Sequence, residues 1–184
     1  MEQRKIIDSV KYWLEKTIIG FNFCPFAKKE FVNESIHYEI VDEINTQEQL
    51  LALSYELERL DKQANIETTL FIMPVGLDRF FDYLDFLELA NNLSIELGYE
   101  GIYQLASFHP NYCFADVQQN DPTNYTNRSP VPIIHIIREA SLEKILANYP
   151  DPEEIPLRNI RLTEEMGNQI FKDILKRSRT REES

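Results

Sequence analysis

Glycine is scarce in this chain, with five in 184 residues, and none of the five forms a phosphate-cradling loop, so nucleotide-fold fingerprints are missing. Cysteine is scarcer still. Cys24 and Cys113 are too few for a disulfide scaffold, and reduced thiols in a cytoplasmic protein are expected. Three potential glycosylation sequons, at Asn33, Asn124 and Asn127, are then coincidental. Basic residues are outnumbered, 19 against 31 acidic ones, for a net charge of −12; with no basic face to neutralise phosphates, nucleic-acid binding is not expected. The first twenty residues are charged and amphipathic, with no apolar run suited to a leader or a membrane span.

What the chain has in quantity is hydrophobic and aromatic residues, 43% and 11%, enough for one domain over residues 1–176 with a real core. Residues 177–184 read as a frayed tail behind a basic helix end, Lys172 to Arg181, whose cations complement the helix dipole. Helical periodicity runs from Gln3 to Ile18, with Ile6, Val10, Trp13, Leu14 and Ile18 on one stripe. A short turn follows from Phe26 to Phe31, then a strand from Ser35 to Val41. Thr46 and Gln49 form a capping-box pattern before a helix with Leu50, Leu53, Leu57 and Leu60 inward. Glu67 to Met73 is a strand stopped by Pro74. Asp78 caps a helix to Leu97, with Phe81, Leu84, Leu87 and Leu93 inward. Strands from Ile102 to Phe108 and Ile133 to Ile137 flank a long polar loop. Ser141 caps a short helix, and after the Asp151–Pro152 start signal a long final helix runs from Leu157 to Lys176, Pro156 interrupting the turn before it.

The order α-β-α-β-α-β-β-α-α predicts an α/β fold, or an α+β one. A single mixed sheet of about four strands is covered by helices, with the first three strands parallel. A ferredoxin-like split βαβ is the alternative.

The long loop between Phe108 and Arg138 concentrates the chemistry, and a loop of that length is usually functional or disordered. His109 stands at a strand end, where ligands bind in sheets with parallel strands. His135 sits within the return strand, a place where a satisfied core histidine is the commoner case. Cys24, just before Pro25, is placed as a helix N-cap facing free N–H groups, with Lys28 and Lys29 one turn on; that setting favours the thiolate, whereas burial between Phe23 and Phe26 is the competing reading. Arg128 and Arg138 suit capture of a carboxylate or phosphate, or else ion pairs with the abundant acids. Asn124, Tyr125 and Asn127 shape the loop, orienting a ligand or making its turns. His37 has no supporting constellation. Asp82, Asp85 and Glu88 recur along one helix, more in the manner of a solvated stripe than a metal face.

These residues lead to an enzyme, a hydrolase or group transferase acting on a small anionic ligand. Cys24, His109 and His135 are its catalytic candidates, and Asn124, Tyr125, Asn127, Arg128 and Arg138 its substrate-binding candidates. No cofactor is expected, although zinc held by Cys24, His109 and His135 is chemically reasonable. A non-enzymatic binding protein, anchored through Tyr103, Tyr112 and Tyr125, is the third possibility.

Several stretches also resemble one known family. Trp13 to Thr17, Gly20 to Phe26, Ser107 to Tyr112, Asn124 to Pro130 and His135 to Glu139 are similar to an uncharacterised bacterial family, domain of unknown function 1415. Glu67 to Leu70 and Asp82 to Phe86 add to the likeness, which spans nearly the whole chain. It implies no particular activity.

Overall fold

The computed structural model describes residues 2–180. Its sheet has four strands, β1 (Ile36–Ile40), β2 (Thr68–Ile72), β3 (Tyr103–Phe108) and β4 (Ile133–Arg138), in the order β1-β2-β4-β3. β1 and β2 pair in parallel, and β4 runs antiparallel between β2 and β3. The first three strands therefore point the same way, as expected. The departure is that β3 does not pair with β2, because β4 is inserted between them. The result is a mixed α/β fold around one open sheet.

Alternation along the strands divides the core into two layers. On one face Phe71, Ile134 and Ile136 pack against α3 (Thr46–Lys62) and α4 (Phe80–Glu96), whose Leu53, Leu57, Leu60, Tyr83, Phe86 and Ala90 are buried. On the other, Leu70, Ile72 and Ile133 meet α1 (Glu2–Trp13), the π-helical segment Leu14–Ile19, α2 (Ala27–Val32) and α7 (Asn168–Arg179). Trp13 is the anchor of this second layer. It is fully buried, its ring lies edge-on to Phe108 at 5.3 Å, and its indole N–H donates to the Arg128 carbonyl at 2.8 Å.

Some local expectations need correction. Asn45, not Thr46, caps α3, its side chain accepting from the Gln47 and Glu48 N–H groups. Gln49 is turned the other way, donating to the Glu43 carbonyl. On α4 the expected Leu84, Leu87 and Leu93 pack half-buried against the core beside the buried Tyr83, Phe86 and Ala90, but Phe81 is 73% exposed. Arg79 rather than Asp78 holds its N-cap position. The helix after β4 is α5 (Glu139–Leu146), beginning two residues before Ser141.

The expected single final helix is two, α6 (Glu154–Met166) and α7, because Gly167 between them adopts φ 69°, in the left-handed region that glycine occupies at little cost. Pro156 falls in the first turn of α6, where its missing N–H is an orphan anyway. α7 continues to Arg179, so residues 177–179, expected in a frayed tail, are helical, and residues 181–184 of that expected tail lie outside the described ones. No helix among the described residues is long and apolar enough to cross a membrane.

Candidate functional site

The first helix does not stay α-helical to Ile18. At Leu14 it widens into a π-helical segment, a feature that recurs at functional sites. Gly20 closes it: any Cβ there would collide with the Lys16 carbonyl oxygen. The chain then turns through Asn22, at φ 55°, and enters the Cys24-Pro25-Phe26 corner. Two residues of α6 brace this turn. Arg158 donates to the Phe21 and Asn22 carbonyls, and the Asn159 amide donates to Phe23 O at 2.8 Å.

Widened helix, turn and sheet line a partly open cavity of about 200 Å³. Its floor is the sheet face carrying Ile36, Leu70, Ala106, Phe108, His135 and Ile137, and its roof is Trp13, Leu14, Ile18, Cys24, Phe26 and Ala27 with Leu142 and Ile145 of α5. An apolar cavity of about 150 Å³ holds a benzene ring, so this one takes a ring or a short branched chain. It adjoins a more polar hollow of about 570 Å³. Phe26, Glu30, Glu67, Ser141 and Ile145 line both, and Lys29, Lys144 and Asn148 lie further out.

Cys24 and His135 are the thiol and the imidazole of the cavity wall. The Cys24 sulfur does meet the N–H groups of Phe26 and Ala27, as its place before the turn leads one to expect. Burial outweighs them, however, and pushes the thiol above its ordinary value. Of the two readings of Cys24, burial therefore prevails over thiolate character, and the thiol is protonated. His135 pairs across the sheet with Leu70 and Ala106. What surface its ring keeps faces the cavity, and it is enclosed by protein. Desolvation drops it to about 4, so it is neutral at physiological pH. Its tautomer follows from a proton count. The Thr68 hydroxyl has one proton and donates it to Ile136 O at 2.6 Å, so the His135 Nε2–H must donate to Thr68 Oγ1, also at 2.6 Å. Nδ1 is left with a free lone pair.

His109 is not in this cavity. It follows Phe108 and therefore faces the other side of the sheet, its ring 5.2 Å from Phe80 and 5.1 Å from Tyr83. Nε2–H donates to Leu77 O at 2.9 Å, while Nδ1 accepts from the Asn111 N–H at 3.0 Å. Both nitrogens are occupied, the residue is wholly buried, and desolvation lowers its pKa. The expected meeting of Cys24, His109 and His135 fails at this residue, and with it the proposed zinc ligand set.

The loop residues are similarly engaged. Asn124 accepts from the Phe114 N–H and donates to Gln118 O; Asn127 donates to Ser107 O. Tyr125 stacks on Phe171 at 5.3 Å. Arg128 lies 4.7 Å above Tyr125 and donates to Tyr112 O and Gln119 O. Arg138 is elsewhere, donating to Leu60 O and Ile66 O and to the Tyr103 hydroxyl, where it caps the C-terminal end of α3. The two arginines do not share a site.

His37 does have a constellation. Its ring and the carboxylates of Glu39 and Glu56 bring their ligand-type atoms within 4.8 Å of one another. Arg59 already supplies positive charge there, 2.6 Å from Glu56 Oε1 and 3.6 Å from Glu39 Oε2. Period-2 alternation through His37 and Glu39 was the available signal, but Glu56 is distant in sequence.

Fold and site together define a mixed α/β protein with an apolar pocket and a thiol–imidazole wall. The chain matches the family of proteins of unknown function DUF1415 over residues 5–173 and belongs to it. No curated protein and no solved structure matches it.

Proposed function

We propose that this protein is an enzyme of the hydrolase or group-transferase class. Its substrate places a compact apolar group in the cavity and an anionic group in the outer hollow beside Lys29 and Lys144. The observation that carries this reading is that Cys24 and His135 line one apolar cavity. A neutral imidazole with a free Nδ1 is a base, and a buried thiol needs one. In the proposed step the Cys24 proton passes to His135 Nδ1 as the sulfur attacks an acyl carbon. The leaving group departs with that proton, and water or a second acceptor then cleaves the thioester. The apolar wall excludes water until the substrate is in place.

The test is intact-mass detection of an acyl adduct after mixing the protein with short-chain activated esters that bear a carboxylate. The expected adduct maps to Cys24 and is absent from Cys24→Ser and from His135→Phe. Failure of every ester in the series to acylate Cys24 contradicts the enzyme reading.

The raised pKa of Cys24 favours a second reading, a binding protein in which the thiol is a cavity wall and nothing more. That reading expects apolar ligands to bind equally well to Cys24→Ala.

A further inference from the structure

A separate groove of about 540 Å³ lies where the loop after β3 meets α7, and it has no lining residue in common with the cavity. Lys172, Lys176 and Arg179 line it from α7, Arg128 and Asn111 from the loop, and among the described residues no carboxylate contributes to its wall. The three α7 cations stand at i, i+4 and i+7, on one side of the helix, and the rise from first to last is about 10 Å.

Two facts distinguish this from cations that only complement a helix end. In a chain with a net charge of −12, none of these four cations forms an ion pair among the described residues. Arg128, moreover, is 8% exposed and rigidly built in. Its Nε and Nη2 are spent on carbonyls and its plane on Tyr125, which leaves Nη1 without a partner at a groove it helps to line. Both N–H groups of Nη1 are therefore unspent and open to an acceptor that enters the groove. The C-terminal end of α7 works against an anion by about half a charge, which four formal positive charges exceed.

We propose that this groove binds a small molecule carrying two linked phosphates. One phosphate accepts from Arg128 Nη1 and the nearer lysine, and the second reaches the cations further along α7. A single phosphate, at about two negative charges, neutralises only about half of the four cations. Lysine ammoniums act as point charges toward phosphate, so no bidentate geometry is required of them.

Calorimetry and ³¹P NMR on the full chain at low ionic strength, with inorganic diphosphate and orthophosphate as probes, test the proposal. Diphosphate is expected to saturate one site, with orthophosphate about tenfold weaker or more. Arg128 also holds the loop, so the informative variant is Lys172→Gln with Lys176→Gln, which changes exposed side chains only. It should weaken diphosphate by about tenfold or more, whereas Lys16→Gln with Lys62→Gln, exposed cations outside all three hollows, should leave it unchanged. No saturation at millimolar diphosphate, equal affinity for the two anions, or indifference to the α7 substitutions overturns the proposal. So does efficient displacement of diphosphate by a glutamate-rich peptide, which would make the groove a protein-docking surface. Acylation of Cys24 is read separately, so either result can fail without the other.

Discussion

Lowering the pH should reveal how deeply His135 is enclosed. Its folded pKa of about 4 lies below the ordinary value of 6.5, so between those two values the unfolded chain binds the extra proton. Stability therefore falls as pH drops through that window, is unaffected by this residue above 6.5, and stops falling below 4. A gap of about 2.5 units, at 1.36 kcal/mol each, gives a loss of about 3 kcal/mol by pH 4. Phenylalanine at this position fills similar space, cannot titrate, and leaves the Thr68 hydroxyl its bond to Ile136 O. Urea unfolding of the protein and of His135→Phe, at pH 7 and pH 4, isolates the effect. His109, Glu39 and Glu56 titrate in both proteins and cancel in the difference. The native protein should lose about 3 kcal/mol more than the variant. Equal losses would mean that His135 is solvated, and its place in a desolvated pocket wall would not survive that result.

Three further outcomes follow from the same geometry. Asn159→Ala leaves the buried Phe23 carbonyl without its donor and should cost about 1–3 kcal/mol in chemical unfolding, with faster alkylation of Cys24. Ala106→Leu fills part of the cavity floor; it should abolish binding of benzene-sized ligands, measured by NMR titration, while changing stability little compared with a core truncation. Gly20→Ala forces the widened end of the first helix apart and should lower stability by about 1–3 kcal/mol in thermal or urea unfolding.

How much of this is legible in the residues varies with distance along the chain. The stripe of Leu53, Leu57 and Leu60 reads directly, because helical periodicity is local and α3 buries the face that its spacing marks. The α4 stripe reads in part: Leu84, Leu87 and Leu93 do pack against the core, but in a helix with apolar residues on several sides Phe81 is as good a candidate as Tyr83, and only the sheet chooses between them. The break at Gly167 escapes notice because a lone glycine within helical periodicity is ambiguous until its φ is known.

In the site, the turn at Cys24 and its N–H groups are local and readable, but the desolvation that reverses the effect depends on α5 and the sheet. His109 and His135 look like partners because they bracket one loop. Strand parity sends them to opposite faces, and parity follows from register rather than from proximity in sequence. The α7 cations read as a helix-end feature, and only the fold brings Arg128 beside them.

The central claim, that Cys24 and His135 face one hollow while His109 does not, has a direct test. In a Cys113→Ser background, methylthiolation of Cys24 adds a small apolar group to the cavity, and the histidine ring resonances are recorded before and after. The account predicts that the His135 ring signals shift and those of His109 do not. A spectrum in which His135 is unmoved, or in which His109 responds instead, contradicts it.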